Sequence, residues 1–101
     1  MKCLSAGAPL CLLVCLALAA EVSASSWTCH KDGLVRHVVV FYPEAPEPLP
    51  CQVFYSRPME NVLPRALWEA QNTPKYCERK AAGFVEKLSA SGWRCSLDEL
   101  E

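Results

Sequence analysis

The chain has 101 residues, of which 51% are hydrophobic and 21% are charged, and its formal net charge is −1. This length allows one small domain at most. Charges of both signs are mixed along the chain, without a basic stripe for nucleic acid or an acidic block for a cationic partner. The composition therefore predicts a small domain that does not bind nucleic acid.

The N-terminal segment has the layout of a secretory signal peptide. A positive start at Lys2 precedes an uninterrupted apolar run over 10–20. Small residues at 22–24 have the spacing that a signal peptidase reads, which predicts cleavage before Ser25. The apolar run is shorter than the roughly 20 residues of a membrane span, and an uncleaved anchor beginning near Leu4 is the alternative. We expect an exported protein that leaves the membrane after cleavage, with a signal peptide over 1–24 and one domain over 25–101.

Four of the seven cysteines follow the predicted cleavage site: Cys29, Cys51, Cys77 and Cys95. An even number of cysteines in a small exported domain is typical of a disulfide framework. Such a domain has little core, and each native disulfide adds about 2–4 kcal/mol. Zinc is the alternative, but no two of these cysteines have the close spacing of a zinc knuckle.

Strand and turn patterns alternate over the first half of the predicted domain. Ser26–His30 predicts a short strand, and Asp32-Gly33 predicts a hairpin turn, because glycine accepts a positive φ. Leu34–Tyr42 is dense in β-branched and aromatic residues and predicts the return strand. Four prolines over 43–50 predict an extended, stiff loop. Cys51–Ser56 predicts a third strand.

The second half contains one clear helix. Residues 58–63 predict a turn region, and 65–70 has a helical composition with an alternation that also allows a strand; we predict a strand. Thr73-Pro74 predicts the start of a helix over about 74–91, because threonine can cap and proline is tolerated in the first turn. The apolar stripe of this helix consists of Cys77, Ala81, Phe84, Val85 and Leu88. Gly92 suits the position after the helix, followed by a last strand over 92–96 and a frayed tail over 97–101.

The level of each cysteine along the sheet predicts the disulfide pairing. With the hairpin turn at the bottom, Cys29 lies near the bottom and Cys51 starts the third strand at the top. About 20 Å of strand separates these levels, whereas a disulfide needs Cα atoms within about 7 Å. A strand over 65–70 returns the chain to the top, so the helix begins beside Cys51. The predicted pairs are Cys51–Cys77 and Cys29–Cys95, and the alternative pairs are Cys29–Cys51 and Cys77–Cys95.

These elements predict an α+β fold: a small curved antiparallel sheet of four to five strands, with one helix packed on one face and two disulfides. The chain also resembles small exported four-cysteine proteins of Gram-negative bacteria. The resemblance lies in the signal peptide, the widely spaced cysteines, the pairs Leu67-Trp68 and Tyr76-Cys77, and the closing Gly92–Cys95. It implies a periplasmic compartment and this fold, and it implies no activity.

Side-chain alternation predicts an apolar face that the helix does not cover. If Val38, Val40 and Tyr42 face the helix, then Val39 and Phe41 face away from it. Cys51 must face the helix to bond Cys77, which places Phe54 on the opposite face. We hypothesise that this face binds a protein partner or a second copy, through His37, Val39, Phe41, Phe54 and Leu67. The alternative is that the proline-rich loop or the curvature of the sheet covers these residues.

The motifs give little support to catalysis. The two histidines, His30 and His37, are not predicted to meet, and no nucleophile elbow or phosphate-binding glycine loop occurs. Cysteines held in disulfides cannot act as nucleophiles. We expect a secreted or periplasmic non-enzymatic binding module without metal or cofactor, such as a hydrolase inhibitor or an envelope accessory protein. The alternatives are a self-associating envelope protein and a small enzyme with His37 in a cleft beside a carboxylate.

Overall fold

The computed structural model describes residues 25–98, which form a five-stranded antiparallel sheet with one helix packed against it. The first four strands form a meander in chain order, and the helix returns the chain so that the fifth strand pairs with the first. The α+β prediction is confirmed. The predicted signal peptide over 1–24 lies outside the described residues. The elements are β1 (Ser26–Lys31), β2 (Leu34–Phe41), β3 (Cys51–Arg57), β4 (Val62–Ala70), α1 (Tyr76–Ala90) and β5 (Arg94–Leu97).

The turn between β1 and β2 is the predicted two-residue hairpin. Lys31 pairs with Leu34, and the chain reverses through Asp32 with φ 51° and Gly33 with φ 81°. Two successive residues with positive φ give a turn whose twist matches that of the flanking strands. The Asp-Gly pair therefore fixes the register of the first hairpin.

The proline-rich segment over 43–50 does not form the extended loop that we predicted. It folds into tight turns, in which the amide groups of Ala45 and Glu47 donate hydrogen bonds to the carbonyl oxygens of Tyr42 and Glu44, at 3.1 and 3.0 Å. Proline removes backbone donors, but its fixed φ also suits turn positions, and the residues between the prolines retain the donors that close the turns.

The predicted strand over 65–70 is present and is longer than expected. A 3₁₀ turn over Pro58–Glu60 and a left-handed Asn61, with φ 57°, bring the chain directly into β4 at Val62. The pairing of β4 with β3 contains irregularities, and one of them leaves Leu67 between the paired residues Ala66 and Trp68. The predicted turn region is therefore only a few residues long.

The start of the helix differs from the prediction. The helix begins at Tyr76, after Lys75 with φ 66°, and no side chain caps its first turn. Tyr76 donates its amide hydrogen bond to the carbonyl oxygen of Thr73, at 3.3 Å. Because the positive φ of Lys75 interrupts the helical path, Thr73 and Pro74 belong to a preceding turn and not to the helix.

The end of the helix agrees with the prediction for Gly92, which has φ 99°. The amides of Gly92 and Trp93 donate to the carbonyl oxygens of Ser89 and Leu88, each at 3.0 Å. This is the Schellman arrangement, in which a left-handed residue closes the helix and apolar residues on either side meet. Leu88 and Trp93 both lie in the core. The last strand starts at Arg94.

Both predicted disulfides are present. Cys29 and Cys95 are directly paired across β1 and β5, and Cys51 at the start of β3 bonds Cys77 in the first turn of α1. The core lies between the sheet and the helix, and the disulfides form part of it. Its buried residues are Cys29, Val38, Val40, Tyr42, Cys51, Val53, Ala70, Cys77, Ala81, Leu88 and Trp93.

The tail is more ordered than predicted where the structure describes it. Leu97 belongs to β5, and the amide of Asp98 donates to the carbonyl oxygen of Ser26, at 2.8 Å. These two residues continue the pairing of β5 with β1 and are therefore not frayed. Residues 99–101 lie outside the described part of the chain.

Candidate functional site

The sheet has two faces of different character, as the alternation on β2 predicts. Val38 and Val40 are fully buried under α1, whereas Phe41 keeps 48% of its surface exposed and Val39 is half-buried. Val39 and Phe41 therefore lie on the face opposite the helix, which we call the far face. On β3, Val53 is buried and Phe54 is half-buried, in agreement with the same alternation.

Three apolar residues are contiguous on the far face. Val39 pairs directly with Phe54 across β2 and β3. The rings of Phe41 and Phe54 meet edge to face, with centroids 6.2 Å apart and planes at 67°. Val39, Phe41 and Phe54 thus form a small continuous surface with two aromatic rings, which we call the far-face patch.

The other two residues of the predicted surface occupy its margins. Leu67, at the irregularity of β4, is half-buried beside Ala66, the partner of Phe54. His37 is half-buried and lies in the next row of the sheet, paired with Ser56. The structure thus brings all five predicted residues to neighbouring positions on three strands.

Within residues 25–98, no helix or strand packs over the far face. The helix contacts β2, β3, β4 and β5 from the core side. The proline-rich segment has one large apolar side chain, Leu49, and this side chain packs against the core cluster. Its residues 43–48 are exposed. The described part of the loop therefore supplies its apolar contact to the core and not to Phe41.

A hydrogen-bonded polar network borders the patch on the β1 side. Ser26 Oγ donates to Asp98 Oδ2 at 2.6 Å, and Thr28 Oγ1 donates to Asp98 Oδ1 at 2.9 Å. Thr28 Oγ1 also lies 3.3 Å from His37 Nδ1. Thr28 donates its single hydroxyl proton to the Asp98 carboxylate. In the contact between Thr28 and His37, the hydrogen-bond donor is therefore His37 Nδ1. The hydroxyl thus separates the imidazole from the carboxylate.

A second polar pair borders the patch on the other side. Phe41 pairs with Gln52, and Gln52 pairs with Glu69 on β4. Gln52 Nε2 donates to Glu69 Oε1 at 3.4 Å. The far-face patch is therefore an aromatic centre with polar groups on two sides.

A charged cluster on the helix side has a structural role. The Arg36 guanidinium stacks over the Trp93 ring, with its central carbon 4.2 Å from the ring centroid, and it donates to Glu60 and to the Tyr55 hydroxyl. Hydrogen bonds from Arg36 and then from Arg57 lower the pKa of Glu60 to about 2. The same bond to Glu60 raises the pKa of Arg36.

A second charged contact joins the helix to the end of β2. The hydroxyl of Tyr42, which is 7% exposed, donates to a carboxylate oxygen of Glu78 in the first turn of α1. Burial and this bond raise the pKa of Tyr42. Glu78 thus provides a hydrogen-bond acceptor for the polar end of a core tyrosine.

A groove of about 460 Å³ lies between α1 and β4, and it was not among the features predicted from the sequence. The available signal was the spacing of Tyr76, Lys80, Gly83 and Lys87, which places them on one side of a helix. Phe84 lines the groove as well as the core, with its ring edge-on to Trp68 at 5.9 Å. The groove is lined by Trp68, Tyr76, Arg79, Lys80, Gly83, Phe84 and Lys87.

Residues 25–98 contain no group of three or more histidine, cysteine or acidic side chains placed to hold a metal ion. No helix in the same range combines the length and the apolar character needed to cross a bilayer. Comparison of the chain with protein-family models, with curated proteins and with solved structures finds no match.

Proposed function

We propose that this protein is an exported, non-enzymatic binding module that holds a protein partner on its far face. The observation that carries this proposal is the half-exposed ring of Phe41, packed edge to face on Phe54 where the described chain leaves the sheet uncovered. Aromatic residues at the centre of a polar-rimmed surface are common anchors of protein interfaces.

The disulfides support an oxidising compartment, because cytosolic thiols are kept reduced. Cys29–Cys95 and Cys51–Cys77 both contribute to the core. The signal-peptide pattern over 1–24 and the resemblance to exported proteins of Gram-negative bacteria favour the periplasm, with the extracellular space as the other destination. We therefore place the proposed partner in one of these two compartments.

The arrangement of polar groups supports a role without catalysis. His37 lies on an open sheet face, and the Thr28 hydroxyl separates it from the Asp98 carboxylate. The groove beside α1 is lined by aromatic, cationic and glycine residues, without a histidine, a carboxylate, a serine or a cysteine. Neither place offers the paired nucleophile and base, or acid and base, of an enzyme.

A rigid sheet suits a partner that binds a preformed surface. The five strands and two disulfides fix the positions of Val39, Phe41 and Phe54 before binding, which lowers the entropic cost of association. An inhibitor of an exported hydrolase and an accessory factor of the cell envelope both need such a surface.

Self-association is the second candidate, through the same patch. Pairing between the exposed edges of β4 in two copies is disfavoured, because β4 contains Pro64 and irregular pairing at Leu67. In this candidate, the second copy covers Phe41 and Phe54. Light scattering over a range of protein concentrations separates this candidate from a different partner.

The test is affinity capture with the tagged full chain, expressed with export and recovered in its oxidised form. Val39→Asp/Phe41→Asp places two charges in the patch, and Phe41→Asp alone is the milder variant. Met59→Asp/Leu63→Asp is the matched control, because these side chains are 57% and 82% exposed outside the patch. Free-thiol assay and circular dichroism check the fold of each variant.

We expect the wild type and the control to capture the same protein in a stoichiometric complex, and the patch variants to lose it. The complex should form again from the two purified components. If the patch variants are natively folded and capture the same proteins as the wild type, the far face is not the binding surface.

A further inference from the structure

The groove between α1 and β4 has a composition unlike that of the far face. Trp68 forms one wall from β4, and Tyr76, Gly83 and Phe84 line it from the helix. Its volume of about 460 Å³ lies within the range of small-molecule sites, which is about 300–1,000 Å³. Trp68 pairs with the buried Val53, so the groove lies on the helix side of the sheet.

Positive charge is concentrated at this groove. Arg79, Lys80 and Lys87 line it, and no acidic side chain does, although the chain as a whole has a net charge of −1. The nearest helical carboxylate in sequence to Arg79, that of Glu78, is bonded to Tyr42. A concave surface with one sign of charge raises the local concentration of ligands of the opposite sign.

One of these cations, Lys80, lies over two aromatic rings. Lys80 Nζ lies 5.6 Å from the ring centroid of Trp68 and 5.6 Å from that of Tyr76. Lys87 is two helical turns further along, at an axial separation of about 10 Å. A ligand that lies along the groove can therefore meet an ammonium group near each end and aromatic surface between them.

Gly83 opens the middle of the groove. A Cβ atom at this position would meet no other atom within 4 Å, so packing does not require a glycine here. Glycine in a helix interior is unfavourable relative to alanine. Its effect at this position is to leave the space beside Phe84 and Trp68 free for a flat group.

We propose that this groove is a binding site for a small aromatic anion, whose flat ring lies over Gly83 against Trp68 and Phe84. Its carboxylate, sulfonate or phosphate pairs with the ammonium group of Lys80 or of Lys87 at one end of the groove, and the remaining cations, Arg79 included, add to the positive field. Three cations on part of one helix, with Glu78 and Glu86 on the same helix, make a short patch and not the continuous stripe that a polyanion would need. The site is separate from the far-face patch, and its failure would leave the proposed function untouched.

The test uses two dyes with the same ring system. Anilinonaphthalene sulfonate has a sulfonate group and N-phenylnaphthylamine has none, and both report binding by fluorescence. We expect the sulfonate to bind the oxidised full chain about tenfold more tightly than the neutral dye. Lys80→Gln/Lys87→Gln should weaken sulfonate binding by about tenfold and leave the neutral dye within about twofold of its wild-type affinity.

The matched control is Arg65→Gln/Arg94→Gln, which removes the same charge from exposed residues outside the groove. It should change sulfonate binding by less than about twofold, because exposed charges at a distance are screened. Gly83→Leu fills the groove without removing charge and should weaken both dyes, with native disulfides and circular dichroism.

Two outcomes would overturn the site. If the control weakens binding as much as the lysine variant, the dye responds to net charge and not to the groove. If Val39→Asp/Phe41→Asp abolishes binding while Lys80→Gln/Lys87→Gln and Gly83→Leu leave it unchanged, the dye lies on the far face.

Discussion

Arg36 and Glu60 form a two-point ion pair, with Arg36 Nε and Nη2 at 2.7 and 2.8 Å from the two carboxylate oxygens of Glu60. Arg57 adds a third bond to Glu60 at 2.9 Å, and the Arg36 guanidinium stacks over the ring of Trp93. Through these contacts, Arg36 joins β2 to the 3₁₀ turn before β4 and to Trp93, which follows α1.

Glu60→Gln should remove an acid-sensitive part of the stability. The folded pKa of Glu60 is about 2, against an ordinary value of 4.5, so the folded state favours the ionised carboxylate. This contribution is complete above about pH 4.5 and is lost as the pH falls towards 2. The urea midpoint of the wild type should therefore exceed that of the variant at neutral pH, and the two should converge near pH 2.

The control for this prediction is Glu44→Gln, which changes an exposed carboxylate of the proline-rich segment. Its midpoint should follow that of the wild type across the acid range. Parallel curves for Glu60→Gln and the wild type, with no convergence at low pH, would contradict the role assigned to the ion pair.

Tyr42→Phe should destabilise the fold by about 1–2 kcal/mol, because it removes a buried hydroxyl that donates to the Glu78 carboxylate. The folded pKa of Tyr42 is raised, so wild-type stability falls as the pH rises above the ordinary tyrosine value of 10.0. The variant should lack this alkaline loss. Urea denaturation at neutral and alkaline pH measures both effects, and Tyr76→Phe, in the partly exposed groove, is the control.

Gly83→Ala should stabilise the protein by about 0.5–1 kcal/mol, because alanine is the better helix former and its Cβ enters open space. Gly92→Ala is the opposite case. Gly92 has φ 99°, and a Cβ at this position would lie 3.4 Å from the Lys31 side chain. The substitution should therefore lower the free energy of unfolding by about 1 kcal/mol or more. Thermal unfolding of the two variants beside the wild type is sufficient, and a loss of stability in Gly83→Ala would show that the glycine has a structural role.

Cys51→Ala/Cys77→Ala should destabilise the oxidised protein by about 3–4 kcal/mol, because the disulfide restricts the unfolded chain across a separation of 26 residues. Cys29→Ala/Cys95→Ala, with a separation of 66, should cost about 4–5 kcal/mol on the same reasoning. Urea denaturation with free-thiol counting checks both. A cost near zero for either pair would contradict the chain-restriction argument.

The fold was largely predictable, because each local signal agreed with the others. The Asp32-Gly33 turn set the levels of the strands, and those levels left Cys51–Cys77 and Cys29–Cys95 as the consistent pairing. The same levels required a strand over 65–70, where composition alone favoured a helix. The alternation along β2 then separated the core side of Val38 from the far side of Phe41.

The predictions that were wrong or incomplete concern features that depend on backbone angles and on contacts between residues far apart in the sequence. Thr73-Pro74 has a helix-start pattern, yet a positive φ at Lys75 delays the helix. The turns of the proline-rich segment depend on hydrogen bonds between its few remaining donors. The groove was missed because Trp68 completes it from β4, and the helical spacing of Lys80 and Lys87 does not show what lies opposite them.

The two disulfides are nested, since Cys51 and Cys77 both lie between Cys29 and Cys95 in the chain. A protease that cuts once anywhere between Cys29 and Cys95 therefore produces two fragments that stay covalently joined. After a single cut between Cys51 and Cys77, both disulfides join the two fragments. Such a nicked molecule gains only one water and keeps its cross-links until it meets a reductant, so outside the cytosol a first cleavage between Cys29 and Cys95 does not release a fragment of the domain.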